Sequence, residues 1–178
     1  KALDAGYKVI IILAGIHNNL RAQTQERVDE GILGFDSQRR LDPDRVDYKL
    51  GVGKLLNTSD LGPPTSITPL TNSADNGDFT TGAQRVNVSL AGGPVIMVVK
   101  KNVTPLKHIL SWLEVAGGQL GHQNADERIS AIPLLMIDDE ADNASINTKD
   151  RPGVPDEETN ITNINRLIRL ILNRFEQS

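Results

Sequence analysis

The sequence predicts an α/β fold in which helices flank a mainly parallel sheet. Three short apolar runs have a length typical of strands buried on both faces, and the first is also rich in β-branched side chains. The runs comprise residues 7–14, 94–99 and 134–137. Segments with apolar residues at helical spacing follow the second and third runs. Strands that alternate with helices indicate a layered domain whose ligands bind at the carboxyl ends of the strands.

The first strand is followed by a polar loop and a predicted helix. The strand ends at Gly15, and Asn18 or Asn19 is expected to cap the helix, because asparagine accepts hydrogen bonds from the free N–H groups of a helix start. Gly31 and Gly34 are expected to end this helix, since glycine readily adopts the left-handed conformation found there.

Two later helices are predicted to carry apolar faces. Thr104 is the expected cap of the first, Pro105 is its first helical residue, and the glycines at 117–118 end it. The second is expected to begin near Asp156 or Thr159. The apolar faces comprise Leu106, Ile109, Leu110 and Leu113 in the first helix and Ile161, Ile164, Leu167, Ile168, Ile171 and Phe175 in the second.

Residues 35–93 are interpreted as an irregular, strand-containing insertion. Proline and glycine interrupt the hydrophobic pattern repeatedly in this region. Short strands are predicted near residues 65–70 and 85–90. These strands would make the region a small, partly ordered addition to the main sheet.

Composition restricts the possible functions. The 178 residues suit one domain, include no cysteine and carry a formal charge of -4. Disulfides, zinc–thiolate sites and thiol catalysis are therefore excluded, and any DNA contact must come from a local patch. Aromatic residues make up only 3%, so a base-stacking platform for single strands is not expected.

No apolar run reaches the ~18 residues that span a membrane. Because no signal peptide is visible and the chain starts without Met, we expect a segment of a longer cytoplasmic protein.

Four carboxylates lie within five positions directly after the third strand: Asp138, Asp139, Glu140 and Asp142. Acids that end a buried strand are costly unless a cation or a donor meets them, and magnesium with a nucleoside triphosphate would do so. In an ATPase, Asp139 would hold magnesium, mostly through water, and Glu140 would orient or deprotonate the attacking water. Asp142 would contact the cofactor and neighbouring motor elements, and Asp138 would be structural. The alternative is a set of solvated acids that cap a surface turn.

The phosphate-binding motif that usually accompanies such acids is absent. No Gly-x-x-x-x-Gly-Lys-Ser/Thr loop occurs in the sequence. Residues 51–54, Gly-Val-Gly-Lys, have the wrong spacing and no strong strand before them. A phosphate contact at 51–54 is therefore not favoured.

Two polar segments are candidates for binding a nucleic-acid backbone. One lies at the start of the first helix, where free N–H groups bind phosphates, and the other follows the second strand. The candidate contacts are Asn18, Asn19, Arg21, Gln23, Lys101 and Asn102. The alternative for each segment is an ordinary turn with solvated charges. His17 is interpreted as a polar loop residue, and His108 and Trp112 are interpreted as packing residues.

Longer strings in the chain resemble known motor proteins. Residues 20–23, Leu-Arg-Ala-Gln, and residues 139–142, Asp-Glu-Ala-Asp, resemble two motifs of superfamily 2 helicases. Residues 11–27 and 137–147 resemble more closely the Z-one domain family of endonucleases, which are helicase-like proteins associated with bacterial restriction and phage-defence systems. The resemblance extends over both ends of the chain and is poor in the middle.

The resemblance implies that residues 1–178 form part of the first RecA-like domain of an ATP-dependent DNA helicase or translocase, with 35–93 as its insertion. The family's phosphate-binding loop would precede Lys1, and its Thr-Ala-Thr-Pro element would follow Ser178. The segment alone is therefore not expected to hydrolyse ATP. ATP and magnesium would act in the full-length protein, and neither is expected to bind this segment tightly.

The same resemblance implies that the partners are DNA and the remaining helicase and nuclease regions of the parent protein, with no membrane. Two alternatives stay open at this point. One is a metal-dependent DNA endonuclease domain whose acids cut DNA directly. The other is a non-catalytic DNA-binding module in which the acids are structural.

Overall fold

A computed structural model describes residues 2–38, 49–55, 67–80, 88, 90, 92–121, 127–139 and 155–178, with the side chains of 155–162 left out. In chain order the elements are β1 (Val9–Ala14), α1 (Asn18–Val28), α2 (Val52–Leu55), β2 (Thr68–Pro69), β3 (Val95–Lys100), α3 (Val103–Gln119), β4 (Leu134–Asp138) and α4 (Pro155–Leu172). A π-helical turn, Asp29–Leu33, directly follows α1. None of the described helices combines the length and apolar character that a bilayer crossing requires.

The four strands form one sheet in the order β2-β3-β1-β4, and every pairing is parallel. This confirms the predicted α/β class and is consistent with an incomplete RecA-like domain. In the register, Leu13 pairs with Val99 on one side and with Asp138 on the other. Because these residues are level, the loops that follow β1, β3 and β4 emerge along the same edge of the sheet. We call this edge the carboxyl edge.

Helices pack on both faces of the sheet, which explains why β1 and the first five residues of β3 are all apolar. One face packs against α3 and α4, and its strand residues are Val9, Ile11, Leu13, Val95, Met97, Val99, Leu134 and Met136. The opposite face packs against α1, and its strand residues are Ile10, Ile12, Ala14, Ile96, Val98 and Leu135. In each strand, neighbouring residues therefore alternate between the two faces.

The boundaries of α1 differ from the prediction at its start. His17 occupies the N-cap position, and neither Asn18 nor Asn19 caps the helix, because both already lie within it. The His17 side chain makes no capping hydrogen bond. At the other end, Gly31 does not stop the helix. The chain continues as the π-helical turn until Gly34, which has a φ of 76° and lies in the left-handed region as predicted.

Helix α3 begins earlier and ends later than predicted. Asn102 is its N-cap, so Thr104 and Pro105 lie inside the first turn. Proline is accepted there because N–H groups of the first turn have no partner within the helix. The glycines at 117–118 remain helical, and the left-handed residue is Gly121, with a φ of 91°.

The predicted irregular region contributes directly to the sheet and the core. Strand β2 pairs with β3, and Leu70 and Phe79 are buried in the cluster beneath α3. The Phe79 ring meets the Trp112 ring edge-on, with centroids 5.9 Å apart. His108 Nδ1 lies 3.2 Å from the Phe79 carbonyl oxygen, so His108 and Trp112 are packing residues as predicted. The strand predicted near 85–90 lies largely outside the described residues.

Candidate functional site

Backbone hydrogen bonds join the loops of the carboxyl edge. The amide of Lys101 donates to the carbonyl oxygens of Ala14, at 3.1 Å, and Gly15, at 3.3 Å. The amide of Asp139 donates to the carbonyl oxygen of Leu13 at 3.0 Å. The segments that follow β3 and β4 are thus fixed against the end of β1, which lies between them.

Asp139 is an exposed acid at this edge, directly after β4. Its Oδ2 accepts a long hydrogen bond of 3.4 Å from the hydroxyl of Thr24 on α1. Among the described residues the Asp139 side chain is otherwise exposed, which leaves oxygen atoms accessible to a hydrated cation. Asp139 is therefore exposed at the end of β4, and its role as a magnesium ligand stays a prediction.

The other predicted members of the acidic site, Glu140 and Asp142, lie outside the described residues. Within the part of the chain that the structure describes, no group of three or more histidines and acids is arranged to hold a metal ion. Of the predicted catalytic and metal-binding residues, Asp139 is the one that lies within the described part of the chain.

Lys101 is buried and does not present a surface charge. Its side chain is 1% exposed, and its Nζ lies 2.7 Å from Oδ2 of Asp138. The predicted contact between Lys101 and a nucleic acid is wrong for this arrangement, because a phosphate cannot reach an ammonium enclosed by protein. The structural role predicted for Asp138 agrees with its pairing.

Arg21 is also buried, which corrects its prediction as a nucleic-acid contact. Its Nη1 donates to the carbonyl oxygen of Asn72 at 2.7 Å, and its Nη2 donates to that of Ala74 at 2.6 Å. Its Nε has no hydrogen-bond partner among the described residues. Burial lowers the pKa of Arg21, and the nearby carboxylates of Asp78 and Asp75 act in the opposite direction.

The carbonyl oxygens that accept the hydrogen bonds of Arg21 belong to a tight loop, residues 72–77. The Asn72 side chain accepts a hydrogen bond from the Ala74 amide at 3.0 Å, and the Asn72 amide donates to the Gly77 carbonyl at 3.0 Å. A Cβ at Gly77 would collide with Asn72, so glycine is required at this turn. The Asn-Gly pair at 76–77 is a turn signal in the sequence, but nothing local identifies its arginine partner.

A second buried network lies beside Arg21 and was not predicted. The Val98 amide donates to the Thr71 hydroxyl at 2.8 Å, and that hydroxyl donates to Gln25 Oε1 at 2.7 Å. Gln25 Nε2 donates to Asp29 Oδ1 at 2.9 Å. The amide and hydroxyl of Ser37 donate to Asp29 Oδ2 at 2.9 and 2.8 Å. This network joins β3, α1 and the loop after the π-helical turn.

A spacing signal for these two sets of contacts is present in α1. Arg21, Gln25 and Asp29 are four residues apart, so they share one helical face. All three are buried, which makes this polar face the one that packs. A polar stripe at helical spacing is usually solvated, and its burial here depends on partners far along the chain.

Asp78 lies at the end of β3 close to Lys100. Its Oδ2 accepts a 3.4 Å hydrogen bond from the Lys100 amide and is 3.9 Å from the Lys100 ammonium. Burial raises the pKa of Asp78, while the Phe79 amide, Arg21 and Lys100 act in the opposite direction. The positive charge at Lys100 is therefore partly compensated within the protein.

The remaining predicted nucleic-acid contacts are on the surface. Asn18, Asn19 and Gln23 are exposed along α1, and Asn102 is exposed at the start of α3. These four neutral amide side chains lie on the two helices that begin at the carboxyl edge. They are available to donate hydrogen bonds to a ligand.

Gly51 and Gly53, which resembled part of a phosphate loop, have a packing role. A Cβ at Gly51 would collide with the Glu30 carbonyl, and a Cβ at Gly53 would collide with the Gly34 carbonyl. In the same contact, the Leu50 amide donates a hydrogen bond to the Gly34 carbonyl oxygen at 2.9 Å. The glycines therefore allow close approach of two backbone segments.

Similarity to known proteins does not assign this chain to a family. No family model matches it, and it has no significant match among curated proteins or solved structures. The function is therefore argued from the geometry of the carboxyl edge.

Proposed function

We propose that this chain is part of the first RecA-like motor domain of an ATP-dependent DNA helicase or translocase that acts with an endonuclease in a bacterial restriction or phage-defence system. The observation that supports this proposal is the position of Asp139. It is an exposed carboxylate at the carboxyl end of a parallel strand, and its amide is bonded to the neighbouring strand through Leu13. Open parallel sheets bind nucleotides at such an edge.

The proposed roles of the acids follow from this position. Magnesium, when bound with the nucleotide, would compensate the phosphate charge. Asp139 fits as its ligand, mostly through water, because its carboxylate is exposed and, among the described residues, makes one long hydrogen bond, to Thr24. Glu140 would orient the attacking water, and Asp142 would contact the cofactor. Both of these acids lie outside the described residues.

DNA would be bound by neutral groups rather than by buried cations. Asn18, Asn19, Gln23 and Asn102 are exposed at the starts of two helices, where amide groups and side chains bind phosphate oxygens. The formal charge of -4 agrees with a local contact surface and not with attraction by the whole molecule.

ATP hydrolysis requires a phosphate-binding loop that the 178 residues do not contain. The proposal therefore assigns that loop to another region of the parent protein. It also predicts that this segment by itself binds ATP weakly and does not hydrolyse it.

The test is DNA-stimulated ATP hydrolysis by the parent protein and its Glu140→Gln variant. Loss of a residue that positions or deprotonates water lowers turnover by about 100-fold or more. Glu114→Gln, on the exposed side of α3, is the matched control and is expected to keep its turnover. Unchanged turnover in Glu140→Gln would show that Glu140 does not have the proposed role.

A nuclease assay separates the motor from the alternatives. The parent protein is incubated with DNA and magnesium or manganese, without ATP. Cleavage that Asp139→Ala abolishes would replace the motor proposal with a metal-dependent endonuclease. DNA binding without either activity in the full-length protein would indicate a non-catalytic module.

A further inference from the structure

We infer that Lys101 is a positioning residue for Asp139, the acid that directly follows β4, and this inference rests on the proposed function. Lys101 follows β3, whereas its partner Asp138 ends β4, and β1 lies between the two strands. The lysine side chain must therefore cross the end of β1 to reach Asp138. Its 1% exposure shows that this crossing is enclosed by protein.

The alternation of β4 determines which of two adjacent aspartates is the more exposed to solvent. Asp138 alternates in step with Leu134 and Met136, which pack on the face covered by α3 and α4. Asp139 has the opposite alternation and contacts Thr24 on α1, on the other face. A shift of one residue would exchange the two carboxylates, so a fixed register is required for Asp139 to be the exposed one.

The parallel pairing of β4 with β1, from Leu134 to Asp138, sets that register, and two interactions hold its carboxyl end. The Lys101 ammonium holds the Asp138 carboxylate at 2.7 Å, and the Asp139 amide is bonded to Leu13 at 3.0 Å. The same ammonium compensates a carboxylate that is 27% exposed and directly precedes the proposed magnesium ligand. Without this compensation, Asp138 would compete with Asp139 for the cation, and the two carboxylates would repel each other.

The experiment compares the parent protein with Lys101→Met, with the double variant Lys101→Met/Asp138→Leu, and with Lys107→Met as a control on the exposed side of α3. Groups that orient a metal ligand change activity by about 10–100-fold when removed. Lys101→Met is expected to lower kcat in that range while the KM for ATP stays within about threefold. The double variant is expected to recover most of the loss, because it removes the carboxylate that Lys101 compensates.

Hydrogen exchange provides a readout that does not depend on activity. Exchange of the Asp139 amide is expected to be faster in Lys101→Met than in the unaltered protein or in Lys107→Met, because the end of β4 is less firmly held. If Lys101→Met does not fold, Asp138→Asn takes its place, since asparagine keeps an acceptor for the ammonium. Asp138→Asn should then retain far more turnover than Asp139→Asn.

Three results would overturn the role of Lys101. They are unchanged kcat and exchange in Lys101→Met, a double variant no more active than Lys101→Met, and loss of activity in Asp138→Asn equal to that in Asp139→Asn. Failure of the proposed function is recognised separately, because the unaltered protein would then lack DNA-stimulated hydrolysis or Glu140→Gln would leave it unchanged.

Discussion

Arg21 donates a hydrogen bond from Nη1 to the carbonyl oxygen of Asn72 at 2.7 Å, so a buried cation joins the first helix to a loop 51 residues later. The neighbouring nitrogen of the same guanidinium bonds Ala74. A planar guanidinium can satisfy two carbonyls at once, which lysine cannot do with the same geometry. Arg21 therefore stabilises the 72–77 loop, which contains Asp75 and directly precedes Asp78, at the carboxyl edge of the sheet.

Replacing Arg21 by methionine should destabilise the protein without acting on DNA directly. The change leaves two carbonyls without their donor, and the expected loss in the free energy of unfolding is about 3 kcal/mol. The measurement is urea unfolding. Arg27→Met, an exposed change on the same helix, should alter stability by no more than about 0.5 kcal/mol. A stable Arg21→Met variant with impaired DNA binding would contradict the structural role.

Replacing Thr71 by valine should break the buried network at its centre. Valine has nearly the same shape but leaves the Val98 amide and Gln25 Oε1 without their shared partner. We expect the free energy of unfolding to fall by about 2 kcal/mol. Thr71→Ser keeps the hydroxyl and should lose about 1 kcal/mol or less, from the missing methyl group. Equal losses in the two variants would show that the hydrogen bonds contribute nothing.

Asp29 should make the stability of the protein depend on pH. Burial raises its pKa in the folded state, and the hydrogen bonds from Gln25 and Ser37 only partly oppose this shift. Ionised Asp29 therefore destabilises the fold at neutral pH. As the pH falls through the folded pKa towards about 4, the folded state takes up the proton first and this cost disappears.

The measurement is urea unfolding of the unaltered protein and Asp29→Asn between pH 7 and pH 4. The stability of the unaltered protein relative to the variant should rise as the pH is lowered, because asparagine does not titrate. Val28→Ala, a buried change beside Asp29 with no titrating group, should differ from the unaltered protein by the same amount at each pH. A relative stability that falls on acidification would contradict the raised pKa.

The strands were predictable to the extent that their own residues determine their burial. Residues 9–14 and 95–99 are apolar at every position because both faces of the sheet are covered, and this pattern is visible without knowledge of partners. Strand β2 has only Thr68 and Pro69, and proline gives no strand signal, although an edge strand accepts it. Its place in the sheet depends on pairing with β3, which local sequence does not encode.

The site was predictable only where exposure follows from position along the chain. Asp139 was placed correctly at the edge because it follows a buried strand. Arg21 and Lys101 were assigned to the surface because cations are usually exposed. Their burial depends on Asn72 and Asp138, which are 51 and 37 residues away. The four-residue spacing of Arg21, Gln25 and Asp29 was the one local signal in α1 for a buried polar face.

Binding of DNA should depend on the exposed amides of α1 rather than on the buried cations. Replacing Asn18, Asn19 or Gln23 by alanine removes hydrogen bonds worth about 1 kcal/mol each, so each change should weaken binding about fivefold. Since these side chains are neutral, they release no counterions, and the slope of affinity against salt concentration should not change. Exposure of all three residues predicts stability within about 0.5 kcal/mol of the unaltered protein. Ser111→Ala, on the exposed side of α3, is the control and should leave DNA affinity unchanged. If DNA affinity survives the replacement of all three amide residues by alanine, this surface is not the interface.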